Sequence, residues 1–225
     1  MNWDTIGPVY GKAIVETLIM VVITLVIGGF AGLLLGLGLY STRRGGVMSN
    51  SGLHTVLNVV VNIVRPIPFI IFVTAIGPLT LLVMGTTIGT TAATFALCVA
   101  ATFGISRIVE QNLVTVDPGV IEAARSMGAG PWRILFTVVI PEALGPLILG
   151  YTFVFVAVVD MTAVAGAVAG GGLGQFAISY GYQRFNWGVT GLAVVTIIVL
   201  VQIAQFTGNR LARDVYKRQI LTVST

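Results

Sequence analysis

Long apolar runs alternate with short polar segments along the chain, and this alternation predicts its fold class. Each run is near or above the roughly 20 residues that a helix needs to cross a bilayer. The runs are Ala13–Tyr40, Leu53–Ile76, Ile88–Ser106, Pro141–Ala165 and Trp187–Gly208. Because backbone polar groups in lipid must be satisfied within their own segment, the pattern predicts an all-α integral membrane protein with five transmembrane helices. We expect residues 1–213 to form a single transmembrane domain.

The polar segment between the third and fourth runs has the pattern of a short helix of its own. Asp117 can cap the helix N-terminus, and Pro118 suits the first helical position. Gly128 is placed to end the helix, and Gly130-Pro131 prevents its continuation. The sequence therefore predicts a helix of about ten residues over 118–128.

One face of this short helix is apolar. Val120, Ala124 and Met127 share that face by their spacing, and Ile121 lies beside them. A helix this short is marginal in water on its own, so packing on its own subunit or in the groove of a partner must hold it. The alternative is an interfacial helix lying on lipid, which would ordinarily carry more lysine and larger apolar side chains.

The opposite face of the short helix is polar. Glu122 and Arg125 lie three residues apart on this face, where their side chains can pair.

Glycines in the first run form a face of another kind. Gly28, Gly32 and Gly36 are spaced four residues apart, so they line one side of a helix and allow another helix to approach closely. Two interpretations are open: close packing within one subunit, or a seam between two copies of the chain.

The composition and the distribution of charge add the membrane orientation. Hydrophobic residues make up 56% of the chain and charged residues only 9%, against about a quarter charged in soluble domains. The net charge is +4, and most basic residues fall in three alternate polar segments, which the positive-inside rule assigns to the cytoplasm. They are Arg43, Arg44, Arg107, Arg125, Arg133, Arg210, Arg213, Lys217 and Arg218. We therefore expect the N-terminus outside and the C-terminus in the cytoplasm, and no nucleic-acid face.

Several kinds of chemistry are excluded by what the sequence lacks. One cysteine, Cys98, and one histidine, His54, cannot form a disulfide framework or a histidine metal cluster. The sequence contains no set of nucleophile and base residues of the kind that would indicate an enzyme. The phosphate-binding pattern Gly-x-x-x-x-Gly-Lys-Ser/Thr is absent, so the chain holds no ATP cofactor itself and any ATP must be hydrolysed by a partner.

Two charges lie inside apolar runs, where ionisable residues usually have a function. Arg65 precedes Pro66 and Pro68, whose missing N–H groups leave carbonyls that its guanidinium can satisfy; direct contact with a substrate is the alternative. Asp160 can pair with Arg65, since an unpaired carboxylate there would be costly. It can instead face a pathway and select a cationic or amino group.

Several motifs resemble one family. Glu122-Ala123-Ala124, followed by Gly128 and Ile140-Pro141, resembles the EAA signature of ABC-importer permeases. Further motifs are similar to those of methionine-importer permeases of the MetI type, and the resemblance covers roughly residues 10–213. They are Arg65-Pro66-Ile67-Pro68-Phe69-Ile70, Gly85-Thr86-Thr87-Ile88-Gly89, Ile140-Pro141-Glu142-Ala143-Leu144, Ala169-Gly170-Gly171-Gly172-Leu173-Gly174-Gln175 and Tyr180-Gly181-Tyr182.

The resemblance implies a fold, partners and a site. It implies a homodimeric permease in a bacterial inner membrane, importing methionine or a related amino acid. The dimer would work with two cytosolic ABC ATPase subunits and an external substrate-binding lipoprotein. The short helix would then be the coupling helix that docks on the ATPase. Its contact residues would be Val120, Ile121, Glu122, Ala123, Ala124, Arg125, Met127 and Gly128.

Residues of the fourth run are also candidates for the pathway. Met161 and Val164 follow Asp160 and would lie near a gate on the two-fold axis, with ordinary packing as the alternative. The family pattern usually has a small or uncharged residue where Asp160 stands. The tail at 214–225, expected to be cytosolic, does not resemble the family's short basic ending, and we expect it to be an idiosyncratic or non-native terminus.

The main rival hypothesis is an ion-driven carrier or a passive channel for a small polar solute. An ion-driven carrier would ordinarily need more carboxylates within the membrane and paired broken helices.

Overall fold

A computed structural model describes the backbone of residues 3–223 and the side chains of residues 3, 4, 6–215 and 217. Within this range the regular structure is helical, which confirms the predicted all-α class. The helices are α1 (Trp3–Ile23), α2 (Gly29–Thr42), α3 (Ser51–Val64), α4 (Phe69–Ala75), α5 (Gly77–Met84), α6 (Thr90–Val114), α7 (Pro118–Ser126), α8 (Pro131–Ile134), α9 (Ile140–Glu142), α10 (Leu144–Ala167), α11 (Gly172–Phe176) and α12 (Trp187–Val223). Three π-helical turns, Thr24–Gly28, Leu135–Val139 and Ala177–Gly181, and a 3-10 turn, Tyr182–Arg184, join some of them.

Four helical stretches in the described range are long and apolar enough to cross a membrane. A fifth span is obtained if α3 and α4 are counted together as one broken span. The four stretches are Ile6–Thr42, Thr90–Val114, Leu144–Ala167 and Trp187–Val215. The number agrees with the five apolar runs only when the broken pair is included.

The length of the second apolar run, 53–76, predicted one continuous helix, but the structure has a break within it. Helix α3 ends at Val64, and α4 begins only at Phe69. Pro66 and Pro68 lie between them, and each removes a backbone donor and disfavours helical geometry in the preceding residue. The prolines therefore outweigh the apolar composition of the run.

Helix α6, which corresponds to the third apolar run at 88–106, extends beyond the end of that run. Helix α6 continues to Val114, because Arg107 is accommodated within the helix rather than ending it. Its guanidinium pairs with Glu110 one turn later, so the charge has a partner on the same helix.

The first and last spans are also longer than predicted. The first stretch continues from α1 through a π turn into α2, and α12 runs well past Gly208 to Val223. Most of the tail at 214–225 is thus a continuation of α12, whereas residues 224 and 225 lie outside the described residues.

The chain divides into two compact units. The first comprises the described part of Met1–Phe30 together with Pro66–Ala101 and Val154–Ala204. Its described residues include two apolar cores. The first core consists of Ala13, Leu173, Phe176, Val189 and Ala193, and the second of Met20, Ala93, Leu97 and Ala165.

The second unit comprises Ala31–Arg65, Thr102–Phe153 and the described part of Gln205–Thr225. Here α2 packs closely on α6 through its glycines. A Cβ atom at Gly36 would lie 2.6 Å from the Ser106 carbonyl oxygen, and one at Gly32 would lie 2.7 Å from Ile105 Cβ. In the first unit, Gly28 similarly approaches the Cys98 backbone. The glycine face therefore serves close packing within the subunit, as the first of the two interpretations expected.

We expect Gly36→Ala to destabilise the protein by about 1–3 kcal/mol, the usual cost of overpacking a tight contact. The clash involves the backbone of α6, which cannot rotate away as a side chain can. Gly38→Ala is the matched control on the same helix, since its Cβ would meet only Leu57 Cδ1, at 3.5 Å. That change should be neutral or stabilising by up to about 1 kcal/mol, because alanine favours helix over glycine. Equal denaturation midpoints for the two variants would contradict the close packing.

Candidate functional site

Helix α7 has the caps that its sequence predicts. The Asp117 carboxylate accepts a hydrogen bond from the Gly119 N–H at 2.8 Å, and Pro118 is the first helical residue. The helix ends at Ser126, two residues before the predicted end at 128. Gly128 has φ +80°, a left-handed conformation that glycine adopts easily, and it forms the turn that closes the helix.

Only part of the apolar face of α7 is covered within this chain. Ala124 is 5% exposed and Ile121 is half-buried, where the helix packs on the π turn Leu135–Val139. In contrast, Val120 is 43% exposed and Met127 is 81% exposed. Ala124 thus anchors the helix, while most of its predicted contact surface remains open.

The predicted ion pair on the polar face is not formed. Among the residues that the structure describes, no ion pair within 4.0 Å joins Glu122 to Arg125. Both side chains are exposed, as is Ala123 between them. Water solvates exposed charges well, so a pair at this position would contribute little and the side chains remain apart.

An aromatic pair continues the open surface beyond α7. Trp132 on α8 stacks on Phe136, with ring centroids 6.1 Å apart, and both side chains are exposed. We call Val120, Met127 and Trp132, together with the charged Glu122 and Arg125, the α7 surface. It combines exposed apolar groups with charges of both signs, a composition suited to a protein partner.

A polar cluster joins α3 to α6 within the second unit. The Arg107 guanidinium pairs with Glu110 at 2.5 Å and donates to the Asn58 Oδ1 at 2.7 Å and the Asn62 Oδ1 at 2.6 Å. The Asn62 amide in turn donates to Asn58 Oδ1 at 3.3 Å. The Arg107 and Glu110 side chains are only 16% and 11% exposed. The cluster therefore holds α3 and α6 together through the Arg107 guanidinium, which has little contact with solvent.

The spacing of polar residues in the sequence indicates the two polar faces of this cluster, whereas the pattern of apolar runs does not. Asn58 and Asn62 lie one turn apart on α3, and Arg107 and Glu110 one turn apart on α6. Each pair interrupts an otherwise apolar stretch on one helical side. The spacing indicated the two polar faces, but nothing in the sequence indicated that they meet.

The two charges predicted within the spans lie in different units. Arg65 is an exposed residue that caps the C-terminus of α3, where its N–H donates to the Val61 carbonyl at 3.0 Å. Asp160 is an exposed residue of α10. Their pairing, and the contact of either with a substrate, stay predictions.

The two gate candidates lie on α10, and both are half-buried. Met161 packs against the second apolar core of the first unit, which includes Met20 and Leu97. Val164 is one turn further along α10. The packing of Met161 agrees with an ordinary core role and leaves the assignment to a gate a prediction.

The glycine-rich segment before α11 is held by side chains that sequence analysis missed. Glu16 on α1 accepts a hydrogen bond from the Gly172 N–H through its Oε2, and Thr17 accepts one from the Leu173 N–H, both at 2.8 Å. The Gly171 N–H donates to Gln175 at 2.9 Å. Gly171 and Gly172 both have positive φ, so the segment requires glycine at these two positions. Within residues 3–223, no group of three or more His, Cys, Asp or Glu side chains could hold a metal ion.

Comparison with known proteins identifies the family of the chain. Residues 28–208, which include α7, the polar cluster and the glycine-rich segment, match the family described as binding-protein-dependent transport system inner membrane component. The chain belongs to this permease family. It is accordingly a membrane component of a transporter and not an enzyme.

Curated relatives place the permease more narrowly. The chain is 43% identical over 203 residues to a probable D-methionine transport system permease protein, MetI, of Vibrio cholerae, covering 90% of each chain. It is 41% identical over 180 residues to the methionine import system permease protein MetP of Bacillus subtilis, covering 80% of this chain and 81% of the relative. The permease is of the MetI-like type.

A solved structure supports the same assignment. The fold matches a chain of the MetNI methionine ABC transporter, described in inward-facing conformations, with a TM-score of 0.89 and 39% identity. The match covers 92% of this permease and 96% of that chain. The predicted MetI-like permease fold is therefore confirmed.

Proposed function

We propose that this permease imports methionine or a related amino acid as a homodimer. In the proposal, the two copies enclose the pathway, two cytosolic ABC ATPase subunits drive it, and an external lipoprotein delivers the substrate. The names of the relatives, which include methionine importers from two organisms, support the substrate class.

The open α7 surface is the observation that carries the proposal. Met127 is 81% exposed at the end of a helix with well-formed caps. A short helix is marginal unless it packs, and of the residues of α7 only Ala124 is buried within this subunit. An ATPase groove would cover the remaining apolar groups and provide partners for Glu122 and Arg125.

The sequence supports an external source of energy. The chain lacks a phosphate-binding loop, so ATP must be bound and hydrolysed by the partner that covers the α7 surface. The distribution of basic residues supports an α7 surface in the cytoplasm, where ATP is found, with the N-terminus outside.

The small number of spans supports the homodimer. The four or five spans found among the described residues are few to enclose a pathway, and a two-fold dimer is the commonest assembly. Closure of the two ATPases would bring the two α7 helices together and rotate the spans as rigid bodies.

Reconstituted transport tests the proposal. The permease, its ATPase and its binding protein are placed in proteoliposomes, and uptake of labelled L-methionine is measured with ATP, with a non-hydrolysable analogue and with an ion gradient alone. We expect uptake only with hydrolysable ATP. Uptake by the permease alone under an ion gradient would overturn the proposal in favour of a carrier.

A further inference from the structure

We propose that a cavity in the first unit, at the end of α1, binds a zwitterionic α-amino acid with an apolar side chain. We call it the glycine-loop cavity, since Gly171 and Gly172 form part of its wall. The inference deepens the proposed function, because it rests on an amino-acid substrate. It adds a binding site whose lining includes neither the residues of the α7 surface nor Asp160.

The size of the cavity fits one small molecule. Its volume is about 320 Å³, at the lower end of the range of about 300–1,000 Å³ for ligand pockets. It opens to the surface, so a ligand can enter without unfolding of the surrounding helices. Its lining comes from α1, from the start of α6 and from the segment around α11.

The polar groups of the cavity match the two charges of an amino acid. Lys12 and Glu16 face it from one helix, with Lys12 Nζ 3.6 Å from Glu16 Oε1. The Glu16 carboxylate can receive an ammonium group, and the Lys12 ammonium can receive a carboxylate. An ion pair between residues i and i+4 contributes little to stability when its lysine is exposed, so a zwitterion can insert between the two charges.

Neutral polar groups converge at the same place. A Cβ at Gly171 would lie only 2.8 Å from both Glu16 Oε2 and Thr90 Oγ1, so this carboxylate and this hydroxyl converge on the glycine backbone with no space for a side chain. Gln175 also lines the cavity; its Oε1 accepts from the Gly171 N–H, and its amide group remains as a donor. An ammonium group next to Glu16 and Thr90 would thus have two acceptors.

The apolar wall of the cavity suits an uncharged side chain. Val9, Ala13 and Phe176 line it, and the last two belong to the first apolar core of the unit. This wall disfavours a charged side chain, because a third charge would lose water without a partner. The cavity chemistry therefore selects an apolar amino acid such as methionine.

Under the proposed orientation the cavity belongs to the outer side of the membrane. It lies near the N-terminus and next to the segment that follows α10, both of which the charge distribution assigns to the outside. There it would hold a released substrate before the pathway accepts it.

Protection of an introduced cysteine tests the site in the assembled transporter. Val9→Cys is made in a Cys98→Ala background, and its reaction with a thiol reagent is followed in nanodiscs by mass spectrometry of the permease. L-methionine at about ten times its Kd should slow labelling about tenfold, since the fraction of unoccupied sites is 1/(1 + [L]/Kd). N-acetylmethionine and methionine methyl ester, each lacking one charge, should not protect.

Charge variants connect the protection to the proposed contacts. Glu16→Gln keeps an acceptor for the Gly172 N–H but removes the charge, and Lys12→Met removes the other charge. Both should abolish protection, whereas Arg44→Gln, a control that removes an exposed charge of the second unit, should retain it. Protection that survives both charge variants would overturn the proposal. So would protection that requires phosphatidylethanolamine and no amino acid, because the cavity would then hold a lipid headgroup.

The same preparation separates the two levels of the proposal. ATP-driven methionine uptake without any protection at Val9→Cys would overturn the site and leave the transport function intact. Absence of uptake would instead count against the proposed function.

Discussion

Reversing the charge of Glu122, or placing a charge at Gly128, is expected to uncouple the permease from its ATPase. In the isolated chain the positions changed in Glu122→Arg and Gly128→Asp are exposed and a Cβ at Gly128 would meet no atom within 4 Å, while aspartate and asparagine tolerate the left-handed conformation there better than most residues. In the proposed complex both lie in a buried interface, where a misplaced charge costs about 2–5 kcal/mol. Substrate-stimulated ATP hydrolysis should fall at least about tenfold.

Two conservative variants serve as matched controls for the uncoupling. Glu122→Gln removes the charge without reversing it. Gly128→Asn tolerates the left-handed conformation at φ +80° without adding a charge. Both controls should keep more coupled hydrolysis than the charged variants, and all four proteins should reach the membrane in equal amounts. Undiminished stimulation in Glu122→Arg and Gly128→Asp would refute docking through α7.

Replacing Arg107 by leucine is expected to be the most destabilising single change considered. It leaves Glu110, a residue with little solvent exposure, without its cation, and it leaves Asn58 and Asn62 without their shared donor. Breaking a buried ion pair on one side costs about 3–5 kcal/mol, and partial exposure of this pair places the loss near 3 kcal/mol. The denaturation midpoint of the subunit in detergent measures the effect.

The controls for Arg107→Leu distinguish the contribution of the Arg107–Glu110 ion pair from the effect of losing one of its two residues. Arg107→Lys keeps the charge but lacks the planar fork that reaches three acceptors, so an intermediate loss is expected. Arg107→Met combined with Glu110→Met removes both charges and should recover much of the stability. Arg133→Leu, which removes an exposed charge, should change little. A double variant as unstable as Arg107→Leu would show that the cluster does not depend on charge pairing.

Sequence patterns predicted the helical class and α7 because these depend on local properties. Apolar run length, the Asp117 cap and the Gly128 stop are read from neighbouring residues and need no knowledge of the tertiary fold. One continuous helix over 53–76 was the wrong prediction, because it relied on the apolar composition of the run and gave too little weight to Pro66 and Pro68. Proline limits a helix whatever its neighbours are. The two prolines alone would have been enough to predict the break between α3 and α4.

The polar contacts could not be predicted in the same way. Glu16 meets Gly172 across 156 residues of sequence, and Arg107 meets Asn58 across 49. Such contacts depend on which helices become neighbours, and a single sequence indicates faces without indicating partners. The glycine-loop cavity exists only through contacts of this kind.

The close approach of α2 and α6 has a consequence for how the second unit responds to temperature. Burial of apolar surface from water weakens on cooling, because its driving force near room temperature is mostly entropic. Helices already surrounded by lipid gain little from that source, and contacts through glycines rely on backbone dispersion forces at short range. The Gly32 and Gly36 contacts should therefore retain their strength in the cold, when a water-excluding interface such as the proposed ATPase groove loses part of its own.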